Sequence, residues 1–357
     1  MASIYIASSH IYAGKTLLGL ALARRAQETG ISVGYFKPLG NLPRLAGNGT
    51  TDEDVRFIKE TLNLAEPIEE LCPIVLTEEL IREELTRDSS HLKEQVAKGF
   101  QQISAGKDFV IVGGAGQSLS RGASLGLTGP QIAELLDLPV MLIAKAASLL
   151  DLDEAHTAIQ AFGPRLHSVV LNQVPPEKME FIDSEIIPRL RTSGLNVLGA
   201  LPEDILLHSI SVAELADSLN GKILVAAEKS GELVENFRVG AMTIDSALAH
   251  FRQVPRKAVI TGGDRSDIVL AALQTDTTCI ILTGGLPPSP AIRVRAEELG
   301  VPLLLVKEDT ITAVDRVDEL MTHLRVREPR KLGRAQELIE DLLDLSSLDA
   351  LAGAARQ

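Results

Sequence analysis

The chain has 357 residues, which is enough for two domains with sizeable cores. Hydrophobic residues make up 45% and aromatic residues only 3%, so we expect an aliphatic core of sheets covered by helices. The formal net charge of −13 argues against nucleic acid and anionic membrane surfaces as partners, because both select basic proteins.

The first predicted element is an apolar strand that runs into Gly14-Lys15-Thr16 and then into a helix. This strand–loop–helix pattern is typical of a phosphate-binding loop, in which backbone N–H groups and a lysine hold phosphates and a threonine hydroxyl binds Mg²⁺. The position that is usually the first glycine of this loop is Ser9. The alternative is a βα turn that keeps this shape without a ligand. The residues predicted to contact a nucleotide here are Ser9, Ala13, Gly14, Lys15, Thr16 and Leu17.

Strands and helices are predicted to alternate through the first half of the chain. The expected elements are a strand over 32–39, a loop over 41–51, helices over 52–62 and about 90–105, and strands over 109–112, 139–144 and 167–172. Buried strands with helices between them indicate a parallel sheet, which binds ligands at the carboxyl ends of its strands. Lys15, Lys37, the glycines after residue 112 and Asn172 all fall at such ends.

A smaller α/β unit is predicted over 221–328, after a first domain over 1–220. Its strands are expected at 222–226, 258–265, 279–285 and 302–306, and its helices at 266–273 and 291–299. A C-terminal helical tail over 329–357 contains an amphipathic helix at 335–345. We expect that helix to pack on its own domain rather than to bind a partner.

Two cysteines, Cys72 and Cys279, lie far apart and belong to no C-x-x-C pair, which favours reduced buried thiols. The N-terminus has no basic segment, and its apolar run is too short for a signal peptide or a membrane span. We therefore expect a soluble cytoplasmic protein.

Motifs in both predicted domains are found together in known families. They are the loop ending in Gly14-Lys15-Thr16, Tyr35-Phe36-Lys37-Pro38, Asp54, the strand over 109–112, Leu171-Asn172-Gln173-Val174-Pro175, and Ile260-Thr261-Gly262-Gly263-Asp264-Arg265-Ser266-Asp267. The first domain resembles dethiobiotin synthetase, and the second resembles the DRTGG domain. The tandem resembles the amino-terminal region of long bacterial phosphotransacetylases, in a stand-alone form that lacks the acyltransferase domain. This resemblance implies no acetyltransferase activity.

The resemblance also implies roles for individual residues. Lys15 and Lys37 would be the catalytic contacts to phosphates and substrate, while Thr16 and Asp54 would hold Mg²⁺. In the synthetase family an additional glutamate at the end of a Val-Glu-Gly strand helps to hold the metal, but Gly113 occupies that position here. Losing this carboxylate should weaken catalysis more than ATP binding. Asn172 would read the adenine base; the alternative is that it caps its own turn.

Other residue groups favour less specific interpretations. His10 stands where partitioning ATPases of the Min type carry a signature lysine, which argues against that family. Asp264 and Arg265 could hold an anion or a nucleotide, or Asp264 could cap a helix while Arg265 pairs across a dimer interface.

These observations leave two main functional hypotheses. The first is a regulatory ATP-binding protein that reports its nucleotide state through a DRTGG homodimer to a metabolic enzyme or another protein. It would use ATP and Mg²⁺, with at most weak ATPase activity. The second is an ATP-dependent ligase or kinase that phosphorylates a small carboxylate or carbamate. A structural scaffold with a vestigial site is a third reading, and the residues do not distinguish adenine from guanine.

Overall fold

The structure is a computed structural model that describes residues 1–46, 49–85, 87, 89–322 and 329–353. These residues form two compact units, one containing residues 1–203 and 329–353 and the other containing residues 204–322. Each unit is built around its own largely parallel sheet.

The first unit contains a six-stranded sheet with helices between its strands. The strands of this unit are β1 (Ala2–Ser8), β2 (Val33–Phe36), β3 (Pro43–Ala46), β4 (Gly49–Asp52), β5 (Phe109–Gly113), β6 (Val140–Lys145), β7 (Leu166–Val174) and β8 (Val197–Pro202). Strands β3 and β4 pair with each other and lie outside the six-stranded sheet. Its helices up to residue 203 are α1 (Lys15–Glu28), α2 (Glu53–Leu62), α3 (Ile68–Leu71), α4 (Glu78–Glu84), α5 (Ser90–Ser104), α6 (Gly129–Leu135), α7 (Asp151–Phe162), α8 (Met179–Phe181) and α9 (Ile187–Thr192). The sheet order is β2–β5–β1–β6–β7–β8, and every neighbouring pair is parallel.

Continuous apolar runs place the central strands in the core. Residues 4–7 of β1, 110–112 of β5 and 140–144 of β6 are buried. Such runs are expected where helices cover both faces of a parallel sheet. Because these strands are parallel, the residues that follow β1, β2 and β5 lie at the same edge of the sheet.

The segment predicted as a loop over 41–51 is instead mostly a hairpin. Strand β3 pairs antiparallel with β4, in a register that places Pro43 opposite Asp52. Gly47 and Asn48, which were part of the predicted loop, lie outside the described residues. The short polar strand Gly49–Asp52 gives no apolar alternation, so its pairing left no signal in the sequence.

The second unit contains a five-stranded sheet in the order β10–β15–β14–β13–β12. The strands of this unit are β9 (Ile210–Ser211), β10 (Lys222–Ile223), β11 (Leu233–Val234), β12 (Asn236–Val239), β13 (Lys257–Gly262), β14 (Thr277–Thr283) and β15 (Leu303–Leu305). Strands β9 and β11 pair with each other in a separate two-stranded sheet. Its helices are α10 (Ile205–His208), α11 (Val212–Ser218), α12 (Ile244–Arg252), α13 (Ser266–Leu273), α14 (Pro290–Leu299) and α15 (Thr310–Thr322). Strand β10 is antiparallel to β15, and the other neighbours are parallel.

The units divide between Glu203 and Asp204, earlier in the chain than residue 220. The reason lies in α11, which supplies Val212 and Leu215 to the core formed with Ile260 and Ile281 of β13 and β14. Helix α11, which lies inside the first domain predicted over 1–220, is thus part of the second core.

The chain returns to the first unit through α16 (Pro329–Leu342) and α17 (Ser346–Gly353). Leu338 and Ile339 are buried there, and the backbone N–H of Asp344 donates to the carbonyl of Leu198 at 2.9 Å. The apolar stripe that predicted an amphipathic helix therefore packs against the phosphate-loop unit.

Two further properties concern the whole described chain. In that part of the protein, no helix is both long and apolar enough to span a membrane. Cys72 and Cys279 are free and buried, and burial raises the pKa of each thiol to about 12.

Candidate nucleotide-binding site

The loop between β1 and α1 has the backbone geometry that its sequence requires. Gly14 precedes the first residue of α1 and has φ of 95°, in the left-handed region that glycine adopts readily. A Cβ at Gly14 would lie 2.5 Å from Nδ2 of Asn172. Glycine is therefore required at this position both by the backbone and by the close approach of a side chain from β7.

Lys15 lies at the start of α1 with its amine turned back along the loop. Its Nζ donates to Oγ of Ser8 at 2.6 Å and to the carbonyl of Gly116. Burial of the amine and the nearby charge of Lys37 lower the pKa of Lys15 to about 7, although Asp54 opposes the shift. An anion bound beside this amine would restore its full charge.

A chain of polar contacts connects the loop to the end of β2. Oγ1 of Thr16 donates to Oδ2 of Asp54 at 3.2 Å, and Nζ of Lys37 donates to the same oxygen at 3.2 Å. Lys37 also donates to Oδ1 of Asp52 at 2.8 Å. Burial by itself lowers the pKa of Lys37, but attraction to Asp54 and Asp52 outweighs it and raises the pKa.

The two aspartates in this chain have different environments. Asp52 is fully buried, caps α2 by accepting from the N–H of Val55, and also accepts from the N–H groups of Asn41 and Leu42. The Asp54 side chain is 20% exposed and faces Thr16. Asp52 thus holds the fold together, whereas Asp54 can offer an oxygen to a ligand.

The residues beside the loop fit a magnesium ion bound together with phosphates. Among the described residues, no group of three or more His, Cys, Asp and Glu side chains could hold a metal. Mg²⁺ commonly uses only one or two protein oxygens and takes its remaining ligands from phosphates and water. Thr16 and Asp54 provide such a pair.

Strand β7 holds the loop from its other side. Nδ2 of Asn172 donates to the carbonyl of Ala13 at 2.8 Å, and Nε2 of Gln173 donates to the carbonyl of Tyr12 at 3.0 Å. Asn172 thus contacts the phosphate loop through its amide instead of capping only its own turn. Gln173 was not predicted as a site residue; its place in the Leu171–Pro175 motif was the available signal.

The remaining predicted loop residues support the loop from within. Oγ of Ser9 accepts from the N–H of Lys145 at 3.2 Å and lies 2.9 Å from Nδ1 of His10. Ala13 and Leu17 are buried. Nε2 of His10 lies 2.9 Å from a carboxylate oxygen of Glu154, so the histidine faces an acidic side chain.

A small cavity opens where these elements meet. Its polar lining comes from Lys15, Thr16, Tyr35 and Lys37, and Gly113 at the end of β5 also lines it. Tyr35 was not singled out from the sequence as a site residue, because a tyrosine on a buried strand normally belongs to the core.

The structure tests one part of the predictions made for Asp264 and Arg265 in the second unit, the capping of a helix by Asp264. The guanidinium of Arg265 donates to both carboxylate oxygens of Asp267, at 3.0 and 3.1 Å, and to the carbonyl of Met242. Helix α13 has no side-chain cap from Asp264, since the residue before its first turn is Arg265. The prediction that Asp264 caps this helix is therefore wrong. The carboxylate that pairs with the Arg265 guanidinium is that of Asp267, in the first turn of α13.

The fold and the loop together define a P-loop α/β domain followed by a smaller α/β domain. Residues 2–211 match the family described as AAA domain, and the chain belongs to this family. Residues 214–320 match the DRTGG domain. The predicted tandem is thereby confirmed.

The chain is also similar in sequence to two kinds of bacterial enzyme. The chain is 25% identical over 359 residues to a phosphate acetyltransferase of Synechocystis sp., covering 96% of this chain and 50% of the relative. It is 28% identical over 212 residues to the ATP-dependent dethiobiotin synthetase BioD of Rhodococcus jostii, covering 57% of this chain and 87% of the relative. The chain spans about half the length of the phosphate acetyltransferases that it matches.

Among solved structures, the chain is similar to a ParA family ATPase from Chlorobium tepidum. The match covers 57% of this chain and 85% of the ATPase chain, with 19% sequence identity and a TM-score of 0.36.

Proposed function

We propose that this protein binds ATP with Mg²⁺ at the phosphate loop and acts as a nucleotide-dependent regulator. The observation that carries the proposal is a phosphate loop with Lys15 and Thr16 in place beside a strand end that has Gly113 instead of a carboxylate. Such a site suits holding a nucleotide better than turning it over.

The loop contacts support nucleotide binding. In the complex, the N–H groups at the start of α1 and the amine of Lys15 hold the phosphates. Thr16 and Asp54 supply oxygens to Mg²⁺, which neutralises phosphate charge when it is bound. The resemblance to an ATP-dependent synthetase supports ATP as the nucleotide.

The surroundings of Lys37 favour regulation over transfer to an acceptor. Its amine is bonded to both Asp52 and Asp54, and the residue is only 2% exposed. A lysine that must also bind an acceptor carboxylate would have to leave at least one of these partners. We therefore place Lys37 with the groups that organise the site, and we keep a ligase or kinase as the alternative.

Asn172 has a corresponding role on the other side of the loop. Its amide N–H group is committed to the carbonyl of Ala13, and its side chain packs over Gly14. We propose that it holds the loop in its phosphate-binding shape, beside the place where a base would lie.

In this proposal, the DRTGG unit transmits the nucleotide state of the first unit. We propose that it forms a cytoplasmic homodimer and that nucleotide binding changes its affinity for itself or for another protein, such as a metabolic enzyme. Sedimentation of the full chain with and without ATP tests this step, and a monomer mass at every concentration, with and without ATP, would contradict the homodimer.

The proposed binding itself is tested by calorimetric titration with ATP in Mg²⁺ and in EDTA, with ADP release followed on the same samples. We expect saturable binding with negligible release. Release that rises with a small carboxylate or carbamate would favour the ligase, and absence of binding would refute the proposal.

A further inference from the structure

The side chain of Tyr35 on β2 lies directly against Gly113 at the end of the neighbouring strand β5. Strand β2 lies beside β5 in a register that places Tyr35 opposite Ile111 and Phe36 opposite Val112. A Cβ at Gly113 would lie 2.2 Å from the hydroxyl oxygen of Tyr35 and 3.0 Å from its Cζ. Gly113 does not have a positive φ, so its backbone would accept other residues. The phenol alone explains why no side chain is present at this strand end.

The hydroxyl end of Tyr35 belongs to the site rather than to the sheet core. Tyr35 lines the same cavity as Lys15, Thr16 and Lys37, and it is 5% exposed. Burial raises the pKa of the phenol, and the nearby charge of Lys37 only partly opposes this shift. The group is therefore a neutral hydroxyl, able to donate a hydrogen bond to an anion at physiological pH.

A phenol and a carboxylate at this position interact with phosphate in opposite ways. A carboxylate repels a phosphate oxygen unless a cation lies between them, whereas a neutral hydroxyl can donate to the oxygen directly. The amine of Lys15 reaches the carbonyl of Gly116, just beyond the same strand end. The lysine of a phosphate loop reaches the β- and γ-phosphates, and Tyr35 lines the same cavity as Lys15, so the terminal phosphates of a bound triphosphate would lie beside this cavity.

We propose that Tyr35 contacts the terminal phosphate of a bound nucleoside triphosphate, donating its hydroxyl proton where a carboxylate would require a bridging cation. This inference rests on the proposed nucleotide binding and specifies what the site recognises. It makes the site selective for triphosphate over diphosphate, and it makes that selectivity persist when Mg²⁺ is removed.

The test compares ATP and ADP affinities in Mg²⁺ and in EDTA for the wild type, Tyr35→Phe and Tyr5→Phe. For Tyr35→Phe we expect ATP affinity in EDTA to fall roughly tenfold or more, as for loss of one hydrogen bond to a charged group. ADP affinity should stay within about twofold. Tyr5 is a matched control, because it is 1% exposed on strand β1, on the other side of β5 from β2, and is not among the residues that line the cavity. Its ATP-to-ADP affinity ratio should equal that of the wild type.

Gly113→Ala provides a second variant that retains the phenol. Its methyl group would meet the hydroxyl at the 2.2 Å separation given above, so the ring must move and the ATP preference should fall as in Tyr35→Phe. The double variant should lose no more preference than Tyr35→Phe alone, because both changes remove one contact. Melting temperatures establish that each variant is folded.

The outcomes separate the two proposals. A wild type that binds neither nucleotide refutes nucleotide binding and this inference together. A wild type that binds ATP, with an ATP-to-ADP ratio unchanged in folded Tyr35→Phe or in Gly113→Ala, overturns the role of Tyr35 alone.

Discussion

The two units of this protein end their parallel strands in similar glycine-rich turns but place different groups there. In the first unit the strand ends carry charges, with Lys37 and Asp52 buried and paired at 2.8 Å. In the second unit the buried polar groups at the strand ends are neutral hydroxyls: Thr283 lies 2.7 Å from Thr310, and Thr261 donates to the carbonyl of Gly240. The charged Asp264 and Arg265 that follow β13 are more exposed. Buried charges require specific partners, whereas neutral hydroxyls are satisfied locally. The first edge therefore buries paired charges, whereas the second buries hydroxyls that find their partners within the unit.

Among its described residues, the second unit also buries a charged side chain, but at the other end of a strand. Lys257 begins β13 and donates to the carbonyl of Asp276 at 2.7 Å, with its amine 5.8 Å from the centre of the Phe251 ring. The glycines of this strand follow at its opposite end. A buried lysine thus stabilises the fold in the second unit, while Lys15 and Lys37 in the first surround a cavity.

The largest effect should come from removing the buried carboxylate of the first unit. Asp52→Ala leaves Lys37 without its closest partner and removes the acceptor of three backbone N–H groups. Breaking a buried ion pair in this way costs roughly 3–5 kcal/mol of unfolding free energy. Denaturant unfolding measures this loss. Asp54→Ala is the control, with an expected loss well below that of Asp52→Ala because the Asp54 side chain is partly exposed; equal losses would contradict the division of roles.

The next largest effect should be on ATP affinity, and it should distinguish Lys15 of the first unit from the buried Lys257 of the second. Lys15→Met should weaken ATP binding by about 10- to 100-fold, since a hydrogen bond to a charged group is worth roughly 1.5–3 kcal/mol. Lys257→Met removes a comparable bond to a carbonyl in the second unit and should leave ATP affinity unchanged. Calorimetry on both variants checks this contrast. Similar ATP affinities for Lys15→Met and the wild type would show that the loop containing Lys15 does not bind the phosphates.

A smaller effect is expected from pH. Lys15 has a pKa of about 7 in the free protein, and phosphate beside its amine raises that pKa in the complex. Between the two values, binding takes up a proton, so ATP affinity should fall as pH rises above 7, by at most about tenfold per pH unit. Titrations at several pH values, repeated with Lys15→Met, measure the slope. A slope equally steep in the variant would assign the proton to another group.

The smallest effect should follow Arg265→Gln. The bond between Arg265 and Asp267 raises the pKa of the arginine and lowers that of the aspartate, but both side chains are exposed. Ion pairs exposed to water contribute little, so we expect the melting temperature to change by about 2 °C or less. A large drop in melting temperature would show that this pair holds the second unit together. A change in the sedimenting mass would instead point to an interface.

Much of the fold could be predicted because its signals are local. The apolar runs of β1, β5, β6 and β7 identify buried strands, and Gly14-Lys15-Thr16 identifies the turn into α1. Strand β12 and helix α12 were not predicted. Short strands of mixed polarity give weak patterns, and their place is decided by the sheet that they join.

The candidate site was predictable only in part, for the same reason. Lys15, Thr16 and Asp54 follow from a loop motif and a family resemblance, and the structure brings all three together through Asp54. The fit of Tyr35 to Gly113 depends on β2 lying next to β5, which are distant in the chain. No local pattern indicates that neighbourhood.

Alone, the sequence determined the class of the fold, the phosphate loop and the order of the two domains, because helix and strand periods and turn residues act over short distances. The tertiary structure decided which charges are paired, which strand end carries a phenol, and where the last helices pack. These features depend on strand order and on the burial of charged groups, which come from contacts between distant residues. Asp52 illustrates both kinds of feature. Its position at the start of α2 follows from the local sequence, whereas its hydrogen bond to Lys37 forms only in the folded protein.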